Sequence, residues 1–94
     1  MPRFVIERDL PAIGSVEREA LRAASQHSNT VLAAMQKEGK NIQWQHSHVA
    51  ADKTFCIYMA DQEALIHEHA QRCGLPATQV TEVRKMIDPV TAEG

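Results

Sequence analysis

No stretch of this chain gathers lysine and arginine into a stripe, and the formal net charge is −2. Binding to nucleic acid needs clustered charge to neutralise phosphates, so that class of function falls away. No apolar run approaches the roughly 20 residues that span a bilayer, which argues against a membrane segment. Met1-Pro2-Arg3-Phe4 passes straight into a strand-like segment and does not read as a signal peptide. The two cysteines, Cys56 and Cys73, form no CxxC pair. Without a secretory signal they read as reduced thiols, and the expected location is the cytoplasm. Enzyme signatures are missing too: no GxxxxGK loop, no GxGxxG after a strand, no GxSxG elbow and no HExxH. No catalytic residue is assigned, and the balance leans away from an enzyme.

What is present is an ordinary globular composition, 44% hydrophobic and 23% charged, which excludes disorder. Ninety-four residues suffice for one domain, 1–94, with 89–94 read as a tail. So short a chain buries only about two thirds of the surface its unfolded form exposes, and pairing with a second copy would cover more.

Arg3 to Arg8, rich in β-branched and aromatic residues, reads as a strand. Pro11 and Gly14 break it, and Ser15 offers a cap for a long helix. The expected apolar stripe of that helix is Val16, Ala20, Ala23, Ala24, Val31, Ala34 and Met35, with His27 and Ser28 inside or beside it. Gly39 ends it. Ile42 to Val49 and Lys53 to Met59, joined by Ala50-Ala51-Asp52, form a hairpin. Asp61 caps a second helix carrying Leu65, Ile66, Ala70 and Cys73, which Gly74 and Pro76 stop. Gln79 to Asp88 is the expected fourth strand. The order β-α-β-β-α-β is the ferredoxin-like α+β arrangement: a four-stranded antiparallel sheet with both helices on one face. The other face is left for a partner, and a second copy is the expected one. Alternation sends Phe55, Ile57 and Met59 one way and Trp44, Cys56 and Tyr58 the other.

Side chains two apart on a strand share a face, which groups Ile42, Trp44, His46 and His48. A three-residue turn pairs Val49 with Lys53, His46 with Cys56 and Trp44 with Tyr58. The expected patch is therefore Trp44, His46, His48, Cys56 and Tyr58. Imidazoles at i and i+2 can chelate one ion, and imidazole suits nickel, zinc and copper. Two strand histidines are also compatible with a polar, solvent-facing edge. On the second helix His69 falls between Leu65 and Ile66, toward the core. His67 diverges from it by about 200° and cannot share an ion with it. Glu7 closes the first strand as a possible oxygen donor. Arg8 beside it reads as one half of an exposed salt bridge.

Several of these residues fall in a longer pattern. The opening Met1-Pro2-Arg3-Phe4-Val5-Ile6-Glu7-Arg8-Asp9-Leu10-Pro11 resembles that of a family of small bacterial nickel-binding proteins. The hairpin Trp44-x-x-Ser47-x-Val49-x-x-Asp52-Lys53-x-x-Cys56-x-Tyr58 resembles that family too, as do Glu68-His69-Ala70, Gly74, Pro76 and Ile87-Asp88-Pro89. The resemblance implies a ferredoxin-like protomer, a dimeric α/β barrel and nickel binding. Glu7, Trp44, Ser47, Cys56, Tyr58 and His69 match the pattern, and His48 stands where tyrosine is usual.

The expectation from residues and resemblance together is a homodimeric protein that sequesters or handles a transition metal, nickel first. His46, His48 and His69 are the nitrogen donors and Glu7 the oxygen donor, with Trp44, Cys56 and Tyr58 around a pocket. Cys56 as a softer donor would favour zinc. The alternative is a small-molecule-binding dimeric α/β barrel, or a cofactor-free or haem-using enzyme. Its pocket would lie around Trp44, Tyr58 and His69.

Overall fold

A computed structural model describes residues 1–94. Its elements in chain order are β1 (Arg3–Asp9), a 3-10 turn (Ile13–Ser15), α1 (Arg18–Lys37), β2 (Ile42–Val49), β3 (Lys53–Ala60), α2 (Glu63–Cys73), β4 (Gln79–Val83) and a 3-10 turn (Pro89–Glu93). The sheet runs β2-β3-β1-β4 with every neighbouring pair antiparallel. Each helix joins strands that are not neighbours, which is the ferredoxin-like α+β fold.

Period-two alternation decides which side chains meet the helices. Phe4, Ile6 and Arg8 on β1 and Thr54, Cys56, Tyr58 and Ala60 on β3 are buried, while the residues between them are only half-buried or exposed. The core is built from Phe4, Ile6, Cys56, Tyr58 and Ala60 of the sheet, Ile42 of β2, Leu32 and Met35 of α1 and Ile66 of α2. Only 14 of 94 residues are buried, because helices cover one face of the sheet and leave the other bare.

α1 buries a different stripe from the one its alanines suggest. The inward positions are Ser28, Leu32 and Met35, flanked by half-buried Leu21, Ser25 and Val31, whereas Ala20, Ala23, Ala24 and Ala34 are exposed. Leucine and methionine remove far more apolar area from water than alanine does, so they set the rotation of the helix. The starts of the helices also differ from expectation. α1 begins at Arg18 after the 3-10 turn, and Ser15 Oγ donates to the Ala12 carbonyl instead of capping it. α2 begins at Glu63, and Asp61 accepts from Asn41 Nδ2 at 2.8 Å. Gly74, at φ +72°, ends α2 in the left-handed conformation that glycine adopts without steric cost.

β4 is shorter than the apolar pattern of Val80, Val83, Met86 and Ile87 suggests. It ends at Val83, where β1 runs out of partners at Arg3, and Met86 and Ile87 are 71% and 78% exposed.

Candidate functional site

The hairpin holds the main departure from the expected site. Val49 pairs with Thr54, Ser47 with Cys56 and His46 with Ile57, yet Trp44 still pairs with Tyr58. Gln45 is therefore an extra residue, a β-bulge, and every side chain beyond it changes face. Trp44 and Ser47 now lie on the same side, with the indole Nε1 donating to Ser47 Oγ at 2.9 Å.

The expected single patch is accordingly split in two. Trp44, Cys56 and Tyr58 face the helices, where His69 is also found. His46 and His48 stand on the bare face beside Ile57 and Phe55. All three histidines cannot meet around one ion within one chain, because the sheet lies between them. Cys56 is separated from His46 and His48 for the same reason, so the sulfur donor that would favour zinc is not with them. Glu7 shares the bare face and the row His48–Phe55–Glu7. It stands two strands from His48, about 10 Å at ordinary strand spacing. Lys53 Nζ lies 3.6 Å from its carboxylate. No three His, Cys, Asp or Glu side chains of the chain converge as a complete metal site.

His46 and His48 do come together. Their rings meet edge to face with centroids 5.1 Å apart, and both are exposed. Two imidazoles at that separation on one strand can turn a nitrogen each toward a common ion, and water can occupy the remaining positions. A shallow depression of about 380 Å³ adjoins His46, lined by Arg3, Gln45, Ile57, Val83, Lys85 and Met86.

The other side of the sheet carries a buried polar cluster. His69 is 1% exposed and its ring lies 5.3 Å from that of Tyr58. Its Nε2 lies 3.2 Å from Ser28 Oγ and 3.4 Å from Cys73 Sγ. Burial, with a further contribution from the Arg8 charge, pushes the imidazole down to about 4, so His69 is neutral at pH 7. Burial pushes the Tyr58 phenol and the Cys73 thiol up, and Arg8 opposes both shifts. Both cysteines are free.

Arg8 is the residue that sequence reasoning misplaced. It is 2% exposed, its Nη1 donates to the Pro76 carbonyl at 2.7 Å, and its guanidinium carbon lies 6.0 Å from the Tyr58 ring centre. The signal was there in the alternation: Phe4, Ile6 and Arg8 share a parity, and two of the three are plainly core residues. The remaining histidines are peripheral. His67 pairs with Glu63 at 3.0 Å on the outside of α2, and His27 is exposed on α1. Glu68, next to His69, turns outward into an ion-pair network with Lys40 and Arg72, each at 2.7 Å.

Comparison with known proteins adds two findings. Residues 4–83 match the family model described as nickel responsive protein SCO4226-like. The crystal structure of SCO4226 from Streptomyces coelicolor A3(2) superposes with a TM-score of 0.71. At 17% identity that likeness covers 90% of this chain and 99% of the other, and it carries the fold. No curated protein sequence matches the chain.

Proposed function

The chain belongs to the SCO4226-like family of nickel-responsive proteins, and from that premise we propose that it binds nickel directly, as a small homodimeric metal-sequestering or metal-handling protein. The observation that carries this reading is the exposed His46–His48 pair, with ring centroids 5.1 Å apart on the bare sheet face. Ni(II) takes imidazole nitrogen readily in octahedral or tetragonal sites and tolerates water as co-ligand. Two protein ligands suffice to capture it, and a second copy of the chain can supply more. His48, where tyrosine is usual in the pattern, adds the second nitrogen in this chain.

The dimer is part of the same proposal. Val5, Phe55, Ile57 and Met59 lie half-buried on the bare face, where a second sheet would remove their apolar area from water. The free thiols of Cys56 and Cys73 favour a reducing compartment such as the cytoplasm.

Paramagnetic Ni(II) broadens the resonances of the imidazoles it touches. Added in small portions to the protein, it should erase the His46 and His48 ring signals first and leave those of His69 sharp. Uniform broadening of all five histidines, or none, would contradict the assignment.

A further inference from the structure

On the helix side of the sheet, Arg8 and His69 each bury an unpartnered nitrogen: Arg8 Nη2 and His69 Nδ1. Both residues lie against the Tyr58 ring, and both are at least 98% buried. Buried polar atoms are paired in the great majority of cases, so two orphans in one cluster ask for an explanation. Their chemistry is of one kind. Ser28 Oγ and Cys73 Sγ lie within hydrogen-bond reach of His69 Nε2, and either the hydroxyl or the thiol is able to donate to it. In the tautomer whose Nε2 accepts from Ser28 Oγ, the single proton of the neutral ring sits on Nδ1. Arg8 Nη2 is a donor by nature. In that tautomer the cluster holds two unpartnered donors.

Charge points the same way. Arg8 is a permanent cation, its one hydrogen bond goes to a neutral carbonyl, and no carboxylate pairs with it. A buried water would satisfy a donor but leave that charge without a counter-charge. An anion with oxygen acceptors satisfies both. Trp44, Leu65 and Ala77 pack partly buried against the core, and Trp44 stacks on Tyr58.

We propose that Arg8 and His69 form a binding site for a small oxyanion, best suited to an organic carboxylate. It lies between sheet and helices on the far side of the sheet from His46 and His48. The carboxylate accepts from Arg8 Nη2 and His69 Nδ1, and its apolar body rests among Tyr58, Trp44 and Leu65. The site is independent of nickel and stands or falls separately from it.

Trp44, the single tryptophan, stacks on Tyr58 with centroids 6.5 Å apart and reports on the site by fluorescence. The metal-free protein is titrated with acetate, benzoate, inorganic phosphate and the uncharged benzamide, with thermal stability followed in parallel. We expect benzoate to give a saturable fluorescence change and a raised Tm at millimolar concentration, and benzamide to give neither. A response to carboxylates alone makes the ligand an organic acid; an equal response to phosphate makes the site a general oxyanion site, and both support it. Arg8→Gln and His69→Phe should each weaken benzoate binding about tenfold or more, the worth of one hydrogen bond to a charged group. No saturable response to any of the three anions overturns the proposal. So does an equal response to benzamide, or unweakened binding in the variants. Should Arg8→Gln fail to fold, His69→Phe and the benzoate–benzamide comparison on the unaltered chain decide it.

Discussion

At the residue scale, His69 ties the stability of the fold to pH. Its ordinary value is 6.5 and the folded value about 4, so the unfolded chain takes up its proton first as pH falls. Its contribution is fully present above pH 6.5 and is lost as pH drops toward 4, on the order of 3 kcal/mol in all. The groups that bear on it are Arg8, which depresses it, His27, which does so weakly, and the Tyr58 and Cys73 side chains, neutral throughout this range. Denaturant melts between pH 7 and 4 should show this loss, and His69→Gln should flatten it. Glu38, held down from 4.5 to about 2 by Arg72 and Lys40, begins to lose its own contribution as pH falls through 4.5. The part of the melts between pH 7 and 5 therefore reports His69 with the least overlap. His69 itself was legible as a core residue from its place between Leu65 and Ile66. Its partners were not, because Ser28 and Arg8 come from elements distant in sequence and meet it only once the helices pack.

Among the elements, the β2–β3 hairpin shows where reading by alternation stops. Strand, turn and the Trp44–Tyr58 pair all follow from the sequence, but an alternating pattern carries no mark of one inserted residue. Gln45 is polar on a strand whose neighbours are mostly polar, so neither face objects to the bulge. The single extra residue moves His46 and His48 from the pocket side to the bare side. Turn contacts fix the other end of the hairpin. Leu10 N and Gly14 N donate to the carbonyls of Asp52 and Ala51, both at 2.9 Å, and Ala12 N donates to Asp52 Oδ1, also at 2.9 Å. A Cβ on Gly14 would stand 2.7 Å from the Ala50 carbonyl oxygen and 2.8 Å from Ala51 Cα. Backbone cannot yield as a side chain does, so Gly14→Ala should cost about 1–3 kcal/mol, measured by chemical denaturation. An unchanged midpoint would mean that the 3-10 turn is not packed against the hairpin.

For the whole molecule, the fold class follows from the order of elements alone, since β-α-β-β-α-β with two cappable helices leaves few arrangements. What the order cannot say is what covers the second face of the sheet. Ile57 sits at its centre, between His46 and Val5. If the face is where two copies meet, sedimentation equilibrium should give twice the chain mass. Ile57→Glu should then reduce it to the chain mass with the helical circular dichroism retained. A monomer in the unaltered protein would leave Val5, Phe55, Ile57 and Met59 as ordinary half-exposed residues.

The claim that nickel is held by the bare-face histidines is tested most directly by calorimetric titration of tag-free protein with Ni(II) at neutral pH. The unaltered chain is compared with His46→Ala/His48→Ala and with His69→Ala. Saturable binding by the unaltered chain, lost in the double variant and kept in His69→Ala, is the predicted result. Binding that survives loss of both strand histidines, or is absent from the unaltered chain, would contradict it.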